Sequence, residues 1–156
     1  MKKIFIFLYF LSLVSCSNQI VSGPEILHPP INLKIEVKTS PFAYYHVEFT
    51  SDNIEAGFAG YRVFEGSTVE EAKNAVQTFL DQNTLPEISD GKTCPASSFT
   101  SKDVPVTIQI GGNSQVAGYS CYLLSLNLTA GNYIAIRAFA NRRNDQFSEA
   151  AVTQVP

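Results

Sequence analysis

Few residues in this chain could carry acid–base chemistry, and the sequence contains only two histidines, His28 and His46. Tyr44, His46 and Glu48 follow one another at a spacing of two, which places their side chains on one face of an extended strand. Such a trio could hold a metal ion weakly, but an ordinary solvated sheet face explains it better. His28 stands beside Pro29 in a segment with no scaffold to hold a catalytic group.

The sequence contains no nucleophile motif, no phosphate-binding loop and no pair of histidines at metal-ligand spacing. Catalysis needs a base held near a nucleophile, or two carboxylates that flank a substrate. We therefore expect a non-catalytic protein with no metal and no cofactor. A small hydrolytic domain is the remote alternative.

Two polar segments could bind ligands through their charges. Asp52, Asn53 and Glu55 could supply oxygen ligands to calcium, although polar side chains are also expected in any surface turn. Arg142 and Arg143 could contact an acidic partner.

An apolar run over residues 4–14 follows two lysines at the start of the chain. The run is well short of the roughly 20 residues that a membrane-spanning helix needs, so it is typical of a removable export signal. The sequence that ends it, Leu13-Val14-Ser15-Cys16, closely resembles the lipobox of bacterial lipoproteins.

The lipobox resemblance implies cleavage before Cys16 and attachment of acyl chains to that residue. Residues 1–15 are then the signal peptide. Residues 16–30, which contain three prolines and one glycine, form a tether between the lipid and the domain. The serine that follows Cys16 implies the outer membrane, with either face possible.

With Cys16 modified, Cys94 and Cys121 remain as an even pair in an exported chain. We expect a disulfide between them, the alternative being two buried thiols.

Without the leader the chain carries nine basic and 14 acidic residues. This negative balance argues against nucleic acid and against electrostatic binding to anionic lipid.

Alternation of apolar and polar residues predicts strands in seven places. These are residues 31–38, 43–50, 58–65, 104–110, 122–128, 134–138 and 147–155. In the fifth, Tyr122, Leu124, Leu126 and Leu128 are the expected inward positions. The segment 67–103 does not follow this alternation. Ser67 or Thr68 can cap a helix over residues 69–80, and we expect an irregular loop over residues 82–103.

Several short motifs together resemble a fibronectin type III domain between Pro29 and Val155. They are Pro29-Pro30-Ile31-Asn32-Leu33, Tyr45 to Phe49, Gly60-Tyr61-Arg62-Val63, Leu128-Thr129-Ala130-Gly131 with Ile136-Arg137-Ala138, and Phe147-Ser148-Glu149-Ala150. The resemblance implies an all-β, immunoglobulin-like antiparallel β-sandwich of about seven strands over residues 31–156, with one short inserted α-helix. It also implies that the chain enters beside the loops around Asp52 and Arg142, where the arginines could simply pair with acidic side chains.

In that arrangement the insertion 67–103 lies at the end of the sandwich away from the lipid. It could form the partner-facing surface, or it could only cover an open sheet edge or the end of the barrel. The candidate partner-binding residues are Glu70, Glu71, Lys73, Asn74, Gln77, Arg142 and Arg143. Tyr44, Phe64 and Tyr119 are candidates for exposed rings that could stack on a sugar.

These observations favour a lipid-anchored binding or adhesion module of the cell envelope, held at the membrane by its lipid and contacting a protein partner. A structural subunit of an envelope complex is the second interpretation, and a carbohydrate-binding domain is a lesser one. The sequence does not name the ligand or the oligomeric state.

Overall fold

The computed structural model describes residues 26–53, 57–81, 90–99, 104–140 and 147–156 of the chain. The strands in this part are β1 (Ile31–Lys38), β2 (Tyr44–Thr50), β3 (Phe58–Gly66), β4 (Thr93–Pro95), β5 (Val106–Ile110), β6 (Cys121–Leu123), β7 (Tyr133–Ala140) and β8 (Ala151–Gln154). The helix α1 (Val69–Asp81) follows β3, and a single 3-10 turn (Ala96–Ser98) follows β4.

The strands form two four-stranded sheets. The first sheet has the order β1-β2-β5-β6 and the second has the order β4-β3-β7-β8. Every pair of neighbouring strands is antiparallel except β5 and β6, which are parallel. The described part of the chain is therefore mostly β with one α-helix, as predicted, and it has eight strands where about seven were expected.

Buried side chains from both sheets meet in one hydrophobic core. Val47, Phe49 and Ile108 come from the first sheet, and Ile134 and Ile136 come from the second. All five are almost fully buried, and burial of each such side chain stabilises the fold by about 1.5–3 kcal/mol. Their period of two is the one predicted, so alternate residues of these strands face away from the core.

Strand β1 lies at the edge of the first sheet and is only partly buried. Ile31 and Val37, which the alternation predicts to face inward, are about half exposed. The register with β2 shifts between Ile31 and Lys34, and Asn32 has a φ of 57°. Such a bulge, like a lysine on an edge strand, disfavours pairing with another chain.

The helix begins where its capping residues predict. The Thr68 hydroxyl accepts the backbone N–H of Glu71 at 3.1 Å, and the Glu71 carboxylate accepts the backbone N–H of Ser67 at 2.9 Å. These bonds satisfy donors that the first turn of a helix leaves without partners. The helix continues to Asp81, one residue beyond the predicted end.

The helix packs on the outer face of the second sheet. Ala72 is fully buried against Phe64 of β3 and Ala135 of β7. Arg137 of β7 donates to the backbone carbonyl of Lys73 at 3.0 Å. The helix thus covers a sheet face, which differs from both positions that the sequence suggested, an open sheet edge and the end of the barrel.

Three segments differ from the sequence prediction. Residues predicted as irregular loop form β4 and the 3-10 turn, because Thr93–Pro95 pairs with β3. In β6 the buried residues are Cys121 and Leu123, so the prediction of Tyr122 and Leu124 as inward positions was wrong. The last strand is shorter than predicted, with an isolated bridge at Phe147 before β8.

Cys94 and Cys121 form the expected disulfide. Cys94 lies in β4, which belongs to the second sheet, and Cys121 lies in β6 of the first sheet. Both cysteines are buried in the hydrophobic core. The bond therefore joins the two sheets internally.

Candidate functional site

The outer face of the first sheet carries a group of aromatic side chains that we call the tyrosine–histidine patch. It consists of Phe42, Tyr44, His46, Tyr119 and Tyr122. Tyr44 and His46 lie on β2, Tyr122 lies on β6, and Tyr119 belongs to the segment between β5 and β6. The alternation of β2 predicts this outward direction for Tyr44 and His46, because Val47 and Phe49 occupy the core.

Gln109 of β5 holds the segment that carries Tyr119. It lies opposite His46 on one side and Tyr122 on the other, and its side chain is completely buried. Its amide nitrogen donates to the Ser114 carbonyl at 2.8 Å, and its amide oxygen accepts the Val116 N–H at 2.7 Å. One polar side chain therefore fixes the path of residues 111–120.

Tyr122 gives this segment a second attachment, because its hydroxyl donates to the Val116 carbonyl at 3.1 Å. Gly111 and Gly112, with φ of 73° and 88°, make the preceding turn in a backbone region that favours glycine. The Phe42 ring packs so closely on Gly112 that a side chain there would collide with it. The pair of glycines is a turn signal in the sequence, whereas no sequence pattern marks the role of Gln109.

His46 connects the patch to two polar groups. Its Nδ1 lies 3.0 Å from the Tyr119 hydroxyl, and its Nε2 lies 3.7 Å from the Glu48 carboxylate. The His46 and Glu48 side chains are 21 % and 39 % exposed, so both are within reach of a partner. Tyr44, His46 and Glu48 thus share one face of β2, as their spacing predicts. Tyr119 joins them from outside that strand.

Burial raises the pKa of Tyr119 well above its usual range, and the neighbouring Tyr44 raises it further. The phenol is therefore protonated at neutral pH, so it serves as a hydrogen-bond donor and not as an anionic nucleophile. When it donates to Nδ1, the neutral His46 ring carries its proton on Nε2, which faces Glu48.

The rings of the patch pack edge to face. The Tyr119 ring lies 5.9 Å from that of Tyr44 at 82°, and 5.3 Å from that of His46 at 72°. Tyr44 is only 8 % exposed, and Phe64 is 7 % exposed beneath the helix. Two of the three rings expected to be exposed for sugar stacking are therefore buried, and that expectation was wrong for them.

The candidate residues of the helix divide into two groups. Glu70, Lys73 and Asn74 are exposed on its outer face. Glu71 is also exposed, but its carboxylate is occupied by the helix cap at Ser67. The side chain of Gln77, and Cys16, Arg142 and Arg143 altogether, lie outside the described residues.

The loop that could have bound calcium has a structural role. The Asn53 amide oxygen accepts the His28 N–H at 2.7 Å, and its nitrogen donates to the His28 carbonyl at 2.8 Å and to the Tyr61 hydroxyl at 2.8 Å. The chain thus enters the domain beside Asp52, as expected. Since Asn53 is fully engaged and Glu55 lies outside the described residues, the calcium alternative gains no support.

Within the described ranges, no three histidine, cysteine, aspartate or glutamate side chains are grouped closely enough to hold a metal ion. Among the same residues, no helix has the length and apolar character required to cross a bilayer. In comparisons with known proteins, no family model matches the chain, and no curated protein or solved structure is significantly similar to it.

Proposed function

We propose that this chain is a non-catalytic, lipid-anchored binding module of the bacterial cell envelope, and that it contacts a protein partner through the outer face of its first sheet. The observation that carries the proposal is the tyrosine–histidine patch. Tyrosine is enriched at protein interfaces because its ring contributes apolar area while its hydroxyl forms hydrogen bonds.

The two sheets differ in what covers their outer faces, which supports this choice of surface. The helix α1 covers the second sheet through Ala72 and Phe64. In the described part of the chain, the first sheet has no helix against its outer face. His46 and Glu48 remain partly exposed there, and His46 lies beside the Tyr119 hydroxyl, which provides hydrogen-bonding groups around a mostly buried aromatic centre.

We propose further that the sandwich is of the fibronectin type III kind. The order β1-β2-β5 in one sheet and β3-β7-β8 in the other corresponds to strands A-B-E and C-F-G of immunoglobulin-like sandwiches. The short strand β4 and the parallel strand β6 are additions to that pattern. Since sandwich folds host many functions, this assignment supports a binding role by analogy alone.

Lipid attachment at Cys16 would place the entry of the domain nearest the membrane. The described chain enters just before β1, where His28 is bonded to Asn53 in the segment after β2. Two acyl chains anchor a protein stably where one holds it only marginally. We propose the outer membrane as the location because a serine follows Cys16 in the sequence.

Mass spectrometry of the chain purified from a bacterial host tests the anchor. We expect an N-terminus at Cys16 with added acyl mass, and we expect the Cys16→Ser variant to keep its leader and lack that mass. An unmodified, uncut N-terminus in the original chain would contradict the anchoring proposal.

Photo-crosslinking in intact cells tests the binding surface. A photoreactive amino acid replaces Glu48 beside the patch, Asn74 on the helix or, as a control, the exposed Ala130. We expect a discrete adduct with one protein from position 48 only. An adduct from position 74 alone would move the binding surface to the helix, and adducts from none of the positions would contradict a protein-binding role.

A further inference from the structure

A small pocket opens at the end of the sandwich opposite the chain entry, and we call it the distal pocket. Its walls include Val37 near the end of β1, Tyr45 of β2, Ile110 at the end of β5, and Leu126 and Leu128 after β6. The volume is about 180 Å³. This pocket lies between strand ends and adjoins the tyrosine–histidine patch, because Tyr44 of the patch also lines it.

The lining of the distal pocket carries no ionisable group other than tyrosine. Apart from tyrosine hydroxyls, its one polar side chain is the exposed amide of Asn127. Gly111 and Gly112 contribute backbone alone, and their positive φ angles favour glycine. The Phe42 ring fills the space beside Gly112, whereas only the Leu126 carbonyl lies near Gly111. A charged ligand would lose its hydration without gaining a partner of opposite charge.

The volume limits the size of the ligand. A drug-sized molecule occupies a pocket of roughly 300–1,000 Å³, which is larger than this one. An apolar cavity of about 150 Å³ is sufficient for benzene. We propose that the distal pocket binds a small neutral molecule built on a single ring, of the size of phenol. This proposal is independent of the protein-binding role assigned to the patch.

Fluorine NMR of 4-fluorophenol tests the proposal, with the chain as a bacterial host processes it, held in lipid nanodiscs. We expect saturable line broadening of the ligand beyond that seen with empty nanodiscs. The charged compound 4-fluorobenzoate has the same ring, and we expect it to bind at least tenfold more weakly. Broadening no greater than in empty nanodiscs, or equal binding of the two compounds, would overturn the proposal.

Substitutions at the exposed rim residue Ala43 locate the binding. We expect Ala43→Phe to fill the pocket and to weaken 4-fluorophenol binding at least tenfold, and Ala43→Asp to weaken it by introducing a charge. The matched control Ala130→Phe adds the same ring at an exposed position outside the lining, and it should bind as the original chain does. Unchanged binding in both Ala43 variants would show that the ligand binds elsewhere.

Discussion

Gln109 shows how one buried polar residue determines the shape of the candidate binding surface. Its amide group satisfies backbone groups at Ser114 and Val116, so the segment that carries Tyr119 lies against the sheet. The side chain is completely buried, and a buried backbone group left without its partner costs about 1–3 kcal/mol. The position of Tyr119 in the patch therefore depends on a residue that a partner would not touch.

The variant Gln109→Leu should lower the free energy of unfolding by roughly 1–3 kcal/mol, because the buried Gly111 carbonyl and the partly buried groups at Ser114 and Val116 would lose their partner. Denaturant unfolding measures this change. Gln154→Leu is the matched control, since its side chain forms one exposed hydrogen bond with Gly131, and its cost should stay within about 0.5 kcal/mol. Equal costs for the two variants would contradict the role assigned to Gln109.

The partly buried phenol of Tyr119 predicts a loss of stability at alkaline pH. Burial raises its pKa in the folded chain, while the unfolded chain has the ordinary value near 10.0. Above that pH the unfolded state releases the proton more readily than the folded state, so the free energy of unfolding falls as pH rises. Tyr119→Phe removes the titrating group, and its stability should therefore decline less steeply.

Unfolding titrations of both proteins between pH 8 and about 11 measure the two slopes. At neutral pH the variant should be less stable by about 1 kcal/mol, because the hydrogen bond to His46 is lost. Parallel curves over the alkaline range would show that the Tyr119 phenol is not protected in the folded state.

At the scale of the elements, the helix depends on a cap whose charge can be titrated. The hydrogen bonds from the Ser67 side chain and backbone lower the pKa of Glu71 below its usual value. A lowered pKa stabilises the folded state above the unfolded value, and this contribution is lost as pH falls through the folded pKa. The cap should therefore weaken in acid.

Glu71→Ala should destabilise the chain more than Glu70→Ala at pH 7. Both variants remove one acidic residue from the first helical turn and gain the same helix propensity, but only Glu71 bonds to Ser67. The difference between them should shrink as pH falls from about 4, where an unperturbed glutamate titrates, through the lower pKa of Glu71 in the folded chain. A difference that is absent at pH 7 would contradict the capping role.

The sequence predicts strands and helices well where apolar residues recur at a regular spacing over many positions. It predicts them poorly where this repeat is short or missing. Alternation located β2 and β3, and the helical period with its caps located α1. The run Cys121-Tyr122-Leu123-Leu124 is apolar at both parities, so alternation could not select its inward face. Strand β4 has only three residues and exists through its pairing with β3, which no local pattern records.

The sequence likewise predicts only one part of the candidate site, the residues that follow the alternation of β2. The spacing of Tyr44, His46 and Glu48 on β2 predicts that they share the outer face of a sheet. Tyr119 reaches them only because a non-local set of hydrogen bonds from Gln109 directs the intervening segment. Such a contact between distant residues is not encoded in any short period of the sequence.

At the scale of the whole molecule, the described chain forms three layers. The helix lies on the second sheet, the second sheet packs on the first through the shared core, and the outer face of the first sheet carries the patch. An isolated sheet would need cover on its apolar face, and the partner sheet supplies it. The helix packs on the second sheet, so the patch on the first sheet is not needed to hold the helix in place. It is therefore left for the partner proposed above.

The disulfide joins the outermost strands at one side of these layers, β4 and β6, across 27 residues of sequence. Closing a loop of that size restricts the unfolded chain, and by this entropy argument removal of the bond costs roughly 3–4 kcal/mol. The double variant Cys94→Ala/Cys121→Ala should show this loss in denaturant unfolding. Reductant should lower the stability of the original chain and leave the double variant unchanged, and a cost below about 1 kcal/mol would mean that the remaining core holds the two sheets together without the bond.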